Sequence, residues 1–418
     1  MFSLAMYLKE RGYIVSGSDN RVSENVKTLK KNGIGVFYGH DEKNVLHCDA
    51  LVYSLAVEGC VEIKKAKDLN VIIKSRAEFL SEILNTYKTK ICVAGAHGKT
   101  TTTALIYHIL KTAGLDPSLH LGANLASGGK SYEHANGDII VCEACEYKDS
   151  FLQLSPTIGI ILNIAPEHLD YFKTFDNLKV SFQKFSTKSD LLVCSDEQII
   201  NHNNKIIINQ DFVAKNIKTE NGLQNFDCYK KDNGKYIMFE RFNLNLLGKH
   251  NVYNALFAIA VACRLGVSKK DIKKALVSFG GVKRRLEKLS SRPLIIHDYA
   301  HHPDEIRASV ETVKNSYKDK VFVVFQPHTY SRTKILIKQF ADCFKGASVG
   351  VYRTYSAREK YQKAGSAKTL AGVLNAEYFN SASHMRKVVK EYVDKGYVIL
   401  FLGAGSIDKI ATRVVKQL

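Results

Sequence analysis

Short apolar runs alternate with helical patterns along most of the chain. In residues 1–86 the runs YIVSGSD, GVFYG, ALVYSLAV and NVIIKS are separated by segments in which apolar residues recur with helical spacing. Strands that alternate with helices in this way predict parallel sheets covered by helices. The pattern therefore favours an α/β fold.

The alternation restarts twice along the chain. A second series begins at KICVAGAHGKTTTT and contains DIIVCEACE, TIGIILNIAPEH and DLLVCSD, after which residues 198–245 have the short, polar-rich strands of an antiparallel insertion. A third series contains LIIHDYA, VFVVFQPH, SVGVYRTY and YVILFLGAG. We predict three α/β domains at residues 1–86, 87–290 and 291–418, and a mostly parallel sheet in the central one.

The charge of the chain is strongly positive but dispersed. The 418 residues carry a formal net charge of +19, and 21 of the 60 basic residues against 11 of the 41 acidic residues lie after residue 290. No block of five or six like charges occurs, and the basic residues do not form the stripe with interleaved aromatics that nucleic acid binding requires. We therefore expect a phosphate-bearing substrate and no nucleic acid partner.

The cysteines and the apolar runs bear on the location of the protein. Nine cysteines are scattered along the chain with no signal peptide before them, which indicates a reduced, cytoplasmic protein. The pair Cys142 and Cys145 has no second ligand pair, so we expect neither a zinc nor a redox site there. No run approaches the ~18 apolar residues of a membrane span. The pattern gives no indication of an oligomeric partner.

A phosphate-binding loop is the first candidate for chemistry. In VAGAHGKTTTTALIYHIL, residues 93–110, Gly95 and Gly98 let backbone N–H groups approach phosphate oxygens at a helix N-terminus. Lys99 would neutralise phosphate charge and Thr100 would hold Mg²⁺. The common G-x-x-x-x-G-K-[ST] signature would need glycine at Val93. A plain strand-to-helix turn with a threonine N-cap explains the glycines but not the lysine, so the loop favours nucleotide binding.

Carboxylates follow the next strands of this series. Glu143 ends one strand, and Glu167, His168 and Asp170 follow another in NIAPEHLDYF. Magnesium prefers oxygen ligands, so Glu143 beside Thr100 suits it. An imidazole is a softer ligand, and His168 could equally be a capping or core residue.

Three further segments carry candidate residues, each with a structural alternative. Asn251 and Asn254 have helical i, i+3 spacing, although Asn251 could simply cap a helix. Arg284 and Arg285 could be solvated surface charges. In the last region, Tyr299, His301, His328 and Arg332 follow two strands that we expect to be neighbours, where Arg332 could bind a carboxylate with both its amino groups and a neutral imidazole could accept a proton from an amine. A structural hydrogen-bond network is the alternative.

The chain resembles a known family throughout its length. The motifs GAHGKTTTT, EACEY, NIAPEHLDYF, GKHNVYNA, GVKRRLE, HDYAHHPDEI, FQPHTYSRT and YSAREK occur in the order and approximate spacing of the UDP-N-acetylmuramate:L-alanine ligases, the MurC family of Mur ligases. DYAHHP and FQPHTYSR are similar to the segments that distinguish this family from the ligases that add later amino acids.

The resemblance implies an activity. It predicts ATP-dependent ligation of L-alanine to UDP-N-acetylmuramate through an acyl-phosphate intermediate, in the cytoplasmic synthesis of peptidoglycan precursors, with ATP and Mg²⁺ as cofactors. The first domain is then an incomplete Rossmann-like UDP-binding domain, the second a P-loop-like ATPase domain and the third a Rossmann-like domain that binds the amino acid. Two alternatives stay open: a related Mur ligase that attaches a whole peptide to UDP-N-acetylmuramate, and a degenerate, non-catalytic nucleotide-binding homologue.

The resemblance also assigns roles to residues. By similarity, the nucleotide contacts Gly95, Ala96, His97, Gly98, Lys99, Thr100, Thr101, His250, Asn251, Asn254 and Arg285, and the metal ion contacts Thr100, Glu143 and His168. The substrates contact Asp19, Ser54, Tyr299, His301, His328 and Arg332. The catalytic residues are Lys99, Glu143, His168, His301 and Arg332. Thr329 stands where some relatives have a second arginine, and Lys179 is a possible counterpart of a carbamylated lysine.

The beginning of the chain departs from the family pattern. Family members start with a strand and a loop of the type G-I-G-G-x-G-M, which receives the UDP pyrophosphate. This chain begins MFSLAMYLKERGYIVSGSD, at what resembles the methionine that closes the loop. We expect either a start codon upstream of Met1 or a truncated first domain with a compromised UDP site and poor solubility.

Overall fold

The structure is a computed structural model. It describes residues 1–126, 128–195, 200–220, 222–317, 320–357 and 359–418, without the side chain of Asp170. The chain forms two compact units: the first comprises residues 1–216, 226–242 and 253–279, and the second comprises residues 217–225, 243–252 and 280–418. Within the described ranges, no helix has the length and apolar character needed to cross a membrane.

The first 84 residues contain four short strands and four helices. The strands are β1 (Ser16–Asp19), β2 (Gly35–Tyr38), β3 (Ala50–Tyr53) and β4 (Ile72–Ser75), and the helices are α1 (Phe2–Glu10), α2 (Glu24–Lys31), α3 (Val61–Asp68) and α4 (Arg76–Leu84). β1 pairs with β2 and β3 with β4, both in parallel. The parallel pairing that the alternation predicts is therefore observed, although the two pairs are separate sheets.

A ten-stranded sheet follows. Its strands are β5 (Thr89–Ala94), β6 (Ser118–His120), β7 (Tyr132–Glu133), β8 (Ile139–Glu143), β9 (Ile158–Ile161), β10 (Leu191–Ser195), β11 (Lys205–Ile208), β12 (Phe212–Glu220), β13 (Leu223–Asp232) and β14 (Lys235–Leu244), in the order β14-β13-β12-β11-β10-β9-β5-β8-β6-β7. Its helices are α5 (Lys99–Thr112), α6 (Leu169–Phe172), α7 (Phe175–Ser186), α8 (Lys249–Arg264) and α9 (Lys269–Ser278). β5 pairs in parallel with both β8 and β9, which puts the start of the phosphate loop in the middle of the sheet.

The core of the first unit explains why residues 1–84 and most of the ten-stranded sheet form one unit. Apolar residues of α1 and α4 lie in the same buried cluster as residues of β5, β8, β9 and β10. The hydroxyl of Tyr7 on α1 lies 2.7 Å from that of Tyr87, which donates to Ser118 at 2.9 Å. The boundary near residue 86 therefore remains a prediction from sequence.

The second unit contains a six-stranded sheet. Its strands are β15 (Glu287–Ser291), β16 (Leu294–Asp298), β17 (Val321–Phe325), β18 (Ser348–Tyr352), β19 (Glu377–Phe379) and β20 (Val398–Leu402), in the order β15-β16-β20-β17-β18-β19. Its helices are α10 (Pro303–Tyr317), α11 (Tyr330–Ile335), α12 (Ile337–Cys343), α13 (Ala367–Leu374), α14 (Ala382–Asp394) and α15 (Ile407–Val415). Only β15 is antiparallel to its neighbour among the pairs of this sheet.

Helices cover both faces of this sheet, which accounts for its continuous apolar strands. Val321, Val323 and Phe325 of β17 lie in one buried cluster, whereas Phe322 and Val324 lie in the other. Side chains of a strand alternate between its two faces, so a strand buried on both sides must be apolar at every position. The polar residues that follow each strand are thereby confined to the edge of the sheet.

Candidate functional site

The phosphate loop connects the central strand β5 to the helix α5. Gly98 occupies the position before Lys99 with φ +87°, and Gly95 has φ +137°, conformations that favour glycine. A Cβ atom on Gly98 would lie 2.7 Å from Oδ1 of Asn254, and one on Gly95 would lie 3.1 Å from the carbonyl oxygen of Asn163. The glycines therefore allow both the backbone turn and the close packing, and the alternative of a threonine N-cap does not apply.

The backbone of the loop is held by one side chain that sequence reasoning missed. Asn163 follows β9, and its Oδ1 accepts from the N–H of His97 at 2.9 Å while its Nδ2 donates to the carbonyl of His97 at 3.0 Å. The N–H of Ala96 donates to the carbonyl of Asn163 at 3.1 Å. The only sequence feature that could have identified this residue is its position as the first residue of the motif NIAPEH.

The N-terminus of α5 supplies positive potential to the loop. The first N–H groups of a helix have no partner within it, and the helix dipole adds partial positive charge at this end. No acidic residue lies in the first turn of α5. Thr100 is half-buried there, and Thr101 is buried.

The side chain of Lys99 folds back over the loop and meets a buried carboxylate. Its Nζ donates to the carbonyl oxygens of Gly95 and Ala96 and lies 3.1 Å from Oε2 of Glu146. The side chain of Glu146 is only 3% exposed, and that of Lys99 is 18% exposed. Sequence reasoning chose Glu143 because it ends a strand and did not select Glu146, three residues later in the same motif.

Glu146 also belongs to a group of possible metal ligands. One donor atom each from Glu146, Glu167 and His168 lie within 4.8 Å of one another, and Nε2 of His168 is 3.6 Å from Oε1 of Glu146. Two carboxylates suit Mg²⁺, to which the imidazole adds a softer donor. The donor set therefore fits a magnesium ion, with the hydroxyl of Thr100 as a further oxygen ligand in the sequence prediction.

Glu143 and His168, two of the predicted ligands, make different contacts in this structure. Oε1 of Glu143 accepts from the N–H of Gly122 at 2.9 Å, so Glu143 is not in that group of three. His168 stands at the N-cap position of α6 with φ +56° but makes no side-chain capping bond, and its ring lies 4.9 Å from that of Tyr147. A histidine in this strained conformation is typical of functional sites. The side chain of Asp170 lies outside the described residues.

The remaining predicted nucleotide contacts lie at the start of α8 and after α9. Nδ2 of Asn251 donates to the carbonyl of Leu247 at 2.7 Å, which supports a role in ordering the beginning of the helix. Asn254 contacts the phosphate loop through its close approach to Gly98. In the second unit, a Cβ atom on Gly248 would lie 2.6 Å from Cε1 of His250, so glycine leaves room for that imidazole.

The second unit brings together Tyr299, His301, His328 and Arg332, which we call the imidazole cluster. The rings of His301 and His328 are 5.7 Å apart, and those of Tyr299 and His301 are 5.3 Å apart. Nη1 of Arg332 lies 3.4 Å from Nδ1 of His328. All four residues that sequence analysis predicted for the amino acid site are therefore neighbours.

The strands that carry this cluster are not adjacent, contrary to the sequence prediction. β20 lies between β16 and β17 and ends in the glycine-rich turn GAGS. A Cβ atom on Gly403 would lie 2.8 Å from the carbonyl of Gln326, and one on Gly405 would lie 2.6 Å from its Oε1. The turn after β20 is made of small residues. Side chains that follow β16 and β17, on either side of β20, can therefore contact each other across this turn.

The environment of the cluster keeps its imidazoles neutral. Burial lowers the pKa of His301 and of His328, and the nearby Arg332 guanidinium lowers both further, while Glu305 opposes the shift at His301. The guanidinium carbon of Arg285 lies 5.3 Å from the centre of the Tyr299 ring. Neutral imidazoles beside a guanidinium can accept a proton from an amine whose carboxylate the arginine holds.

Buried Asp298 orders the turn before the cluster. Its oxygens accept from the N–H groups of Leu286 and Ala300, each at 2.7 Å, and burial raises its pKa. Sequence reasoning had not assigned Asp298 this positioning role.

Asp19 and Ser54, the predicted UDP contacts, lie at the carboxyl ends of β1 and β3. Oδ1 of Asp19 accepts from the N–H of Arg21 at 2.8 Å, and Ser54 precedes the short 3₁₀ helix Leu55–Val57 without capping it. Lys179 is exposed on α7 and pairs with Asp176 at 3.0 Å. Arg358 of the motif YSAREK lies outside the described residues.

Comparison with known proteins identifies the family to which this fold belongs. Residues 1–88 match the Mur ligase family, catalytic domain, residues 93–262 match the Mur ligase middle domain, and residues 284–405 match the Mur ligase, glutamate ligase domain. The fold is thus the three-domain α/β fold of a Mur ligase, as the sequence predicted.

Individual relatives show which Mur ligase family the chain belongs to. The chain is 39% identical to a UDP-N-acetylmuramate:L-alanine ligase of Caldicellulosiruptor bescii, over all of this chain and 96% of the relative. It is 40% identical to the enzyme of the same name from Caldicellulosiruptor saccharolyticus, over 98% of this chain and 94% of the relative. The crystal structure of UDP-N-acetylmuramate-alanine ligase MurC from Thermotoga maritima matches with a TM-score of 0.84 and 29% identity, over 99% of this chain and 95% of that chain. A murein peptide ligase from Psychrobacter arcticus shares the fold, with a TM-score of 0.67 and 22% identity over 99% of this chain and 95% of that chain. The chain belongs to the UDP-N-acetylmuramate:L-alanine ligase (MurC) family, as its motifs indicated.

Proposed function

We propose that this chain joins L-alanine to UDP-N-acetylmuramate at the expense of ATP, as its family membership suggests. The observation that carries the proposal is the Lys99 side chain, which lies on a glycine loop at a helix N-terminus and is paired with buried Glu146. A lysine in that position can exchange its carboxylate partner for phosphate oxygens. The imidazole cluster of the second unit supplies the complementary chemistry for an amino acid.

The phosphate loop binds the nucleotide in this proposal. The N–H groups at the start of α5 and Lys99 neutralise the β- and γ-phosphates, and the loop residues Gly95 to Thr101 surround them. Thr100, Glu143 and His168 would hold Mg²⁺, and Glu146 and Glu167 offer two further carboxylates close to His168. Magnesium would supply charge neutralisation on the phosphate oxygens. His250, Asn251, Asn254 and Arg285 contact the remainder of the nucleotide.

The first chemical step activates the sugar-linked acid. An oxygen of the lactyl carboxylate attacks the γ-phosphorus, the bond to the β-phosphate oxygen breaks, and ADP leaves with that electron pair. Carboxylates are poor acyl donors, and the product is an acyl phosphate with a good leaving group. Lys99 contributes by holding the phosphates in line and by countering their charge. Asp19 and Ser54 are the proposed contacts to UDP.

The second step forms the amide. The amine of L-alanine attacks the acyl carbonyl carbon, and phosphate leaves from the tetrahedral intermediate. Arg332 holds the alanine carboxylate, and His301 or His328, kept neutral by its surroundings, accepts the proton that the ammonium must lose before it can attack. Tyr299, held by Arg285, lies beside His301 and completes the pocket. We place the reaction in the cytoplasm, consistent with nine cysteines of which none forms a disulfide.

Phosphate release is the direct test. The chain should release inorganic phosphate from ATP only when UDP-N-acetylmuramate and L-alanine are both present. A peptide that replaces L-alanine with equal or greater efficiency would instead indicate a peptide-attaching ligase, and a preparation that binds nucleotide but releases no phosphate would indicate a non-catalytic homologue. L-serine and glycine belong in the same panel, since each differs from alanine only at the side chain.

A further inference from the structure

The first unit contains a second cluster of metal-ligating side chains, which shares no residue with the phosphate-loop site. It consists of His40, Cys60 and Glu62, and one ligand atom from each lies within 4.8 Å of the others. His40 follows β2, Cys60 stands at the N-cap of α3, and Glu62 lies in the first turn of that helix. Neither chemical step of the ligation uses these three residues.

The carboxylate of Glu62 is the centre of the cluster. Its residue is only 5% exposed, and its Oε2 lies 2.9 Å from Nδ1 of His40 and accepts from Oγ of Ser18 at 2.8 Å. Its other oxygen accepts from Nδ2 of Asn44 at 2.7 Å. Neighbours on three different segments therefore hold the buried carboxylate in one orientation. Because the side chain is already ordered, little further conformational entropy is lost when it binds an ion.

Cys60 distinguishes the cluster from an ordinary hydrogen-bond network. The N-cap position prefers a serine, threonine, aspartate or asparagine, whose side chain accepts a hydrogen bond from the helix. Cys60 makes no such capping bond, and its Sγ is directed at Oε2 of Glu62 at a distance of 3.9 Å. Both Cys60 and His40 are partly exposed, so an ion could reach them from solvent.

We propose that His40, Cys60 and Glu62 bind a divalent transition metal ion of the zinc type. Zinc takes nitrogen, sulfur and oxygen ligands at ~2.0–2.3 Å in a tetrahedral arrangement, which places any two ligand atoms roughly 3.3–3.6 Å apart. Two of the three pairs, 2.9 Å for nitrogen and oxygen and 3.9 Å for sulfur and oxygen, bracket that range, and the nitrogen–sulfur pair lies within 4.8 Å. Binding therefore needs side-chain movements and loss of the thiol proton.

The donor set selects the class of metal. An imidazole and a thiolate favour zinc or cobalt over magnesium or calcium, which prefer oxygen ligands. Three protein ligands leave one tetrahedral position for water or another small ligand. The bound ion would connect the segment after β2 to the start of α3, so it should stabilise the folded chain in proportion to its occupancy.

Cobalt(II) titration of the full chain tests the site, because a cobalt–thiolate bond gives a charge-transfer absorption band that a carboxylate and imidazole site cannot give. We expect one cobalt ion per chain with that band, displaced by equimolar zinc chloride, and a higher melting temperature with zinc. Cys60→Ala should lose the band and at least about 100-fold in affinity, since even residues behind the ligands cost 10–100-fold.

Cys48→Ala is the matched control, because Cys48 is a partly exposed cysteine of the same region whose thiol donates to the carbonyl of Val45 at 3.4 Å. It should keep the band. His40→Ala, a second variant that leaves the buried glutamate in place, should weaken cobalt binding similarly, and circular dichroism checks that each variant is folded. Absence of a thiolate band in the unmodified chain, its persistence in Cys60→Ala, or its loss in Cys48→Ala would each overturn the proposal.

Discussion

The phosphate-loop site of the first unit and the imidazole cluster of the second unit are built in different ways. The loop is formed largely by backbone: two glycines at positive φ, the N-terminus of α5, and an asparagine that bonds to both backbone groups of His97. The imidazole cluster is formed by side chains from two strands that are separated by β20. The loop is thus a local structure, whereas the cluster depends on sheet order.

Because of this difference, we expect single substitutions to affect the two sites differently. A local loop is encoded in consecutive residues, so its function should depend strongly on one charge and on a few hydrogen bonds. A cluster assembled from distant strands shares its task among several side chains, so single changes should shift substrate affinity and pH dependence more than they abolish turnover. Substitutions in the loop and in the cluster test this contrast.

Lys99→Ala should have the largest effect. It removes the one lysine that the loop places against the phosphates, and removal of a single preorganised electrostatic contact costs about 100- to 1,000-fold in turnover. Phosphate release in the presence of both substrates measures this. Lys111→Ala, in the last turn of the same helix, is the control and should leave turnover within about twofold, as expected for an exposed ion pair. Near-normal activity of Lys99→Ala would exclude the phosphate role.

Arg332→Lys should raise the KM for alanine. Lysine keeps the charge but cannot bind a carboxylate with two parallel hydrogen bonds, and a lost hydrogen bond to a charged group costs ~1.5–3 kcal/mol, or about 10- to 150-fold in kcat/KM. The KM for ATP should stay unchanged. Lys334→Ala, an exposed residue of the same helix α11, serves as the control. A variant with unaltered kcat/KM for alanine would remove Arg332 from the amino acid site.

Asn163→Ala should raise the KM for ATP. It deletes two hydrogen bonds to the backbone of His97, each worth about 1 kcal/mol, so the cost is about 10- to 30-fold if the loop must be ordered to bind phosphate. The KM for alanine should change little. Asn204→Ala, which removes a side-chain bond to the carbonyl of Asp190 on the surface, is the comparison. Equal effects on ATP and alanine would indicate general destabilisation.

The pH dependence should show the smallest effect. Burial and Arg332 lower the pKa of His301 and His328 below the usual 6.5, so both imidazoles are neutral at pH 7 and protonate only as the pH falls below that value. The kcat/KM for alanine should accordingly be flat above pH 6.5 and fall on the acid side. The unfolded chain binds these protons more readily, so stability too should decline as the pH drops from 6.5 towards the lowered pKa values.

Histidine NMR titration with Arg332→Ala sharpens this point. Removal of the positive charge should raise the pKa of His328, whose shift has Arg332 as its second cause after burial. An unchanged pKa would mean that burial alone keeps the imidazole neutral. The effect that we ascribe to the Arg332 charge on His328 would then be wrong.

The glycine loop was predictable because its determinants are consecutive in sequence. A strand, two glycines, a lysine and a helix follow one another within a few residues, so the sequence alone predicts Gly95, Gly98 and Lys99. Glu146 was not, because nothing in the sequence distinguishes it from Glu143 three residues earlier. Burial and the position of Lys99 select Glu146 as the ion-pair partner, and both are tertiary properties.

Long-range strand order was the other part that the sequence left open. The apolar runs of the second unit were found correctly, but β20, the last strand, inserts between β16 and β17. The four short strands of the first 84 residues likewise pair two by two instead of forming one sheet. The local pattern of apolar residues does not depend on which distant strands are hydrogen-bonded to each other. Strand order therefore cannot be predicted from that pattern.

The α/β class, the family, the phosphate loop and the four residues of the imidazole cluster could all be predicted from the amino-acid sequence. These depend on local periodicity and on residue types at short spacing, which the chain carries without reference to its neighbours in space. Three features depend on tertiary packing: the ion pair of Glu146 with Lys99, the hydrogen bonds of Asn163 to the loop, and the proximity of His40, Cys60 and Glu62. Burial and proximity depend on how separate segments of the chain pack against one another. Residues that are far apart in sequence can therefore be neighbours in space, and the sequence pattern does not predict which ones.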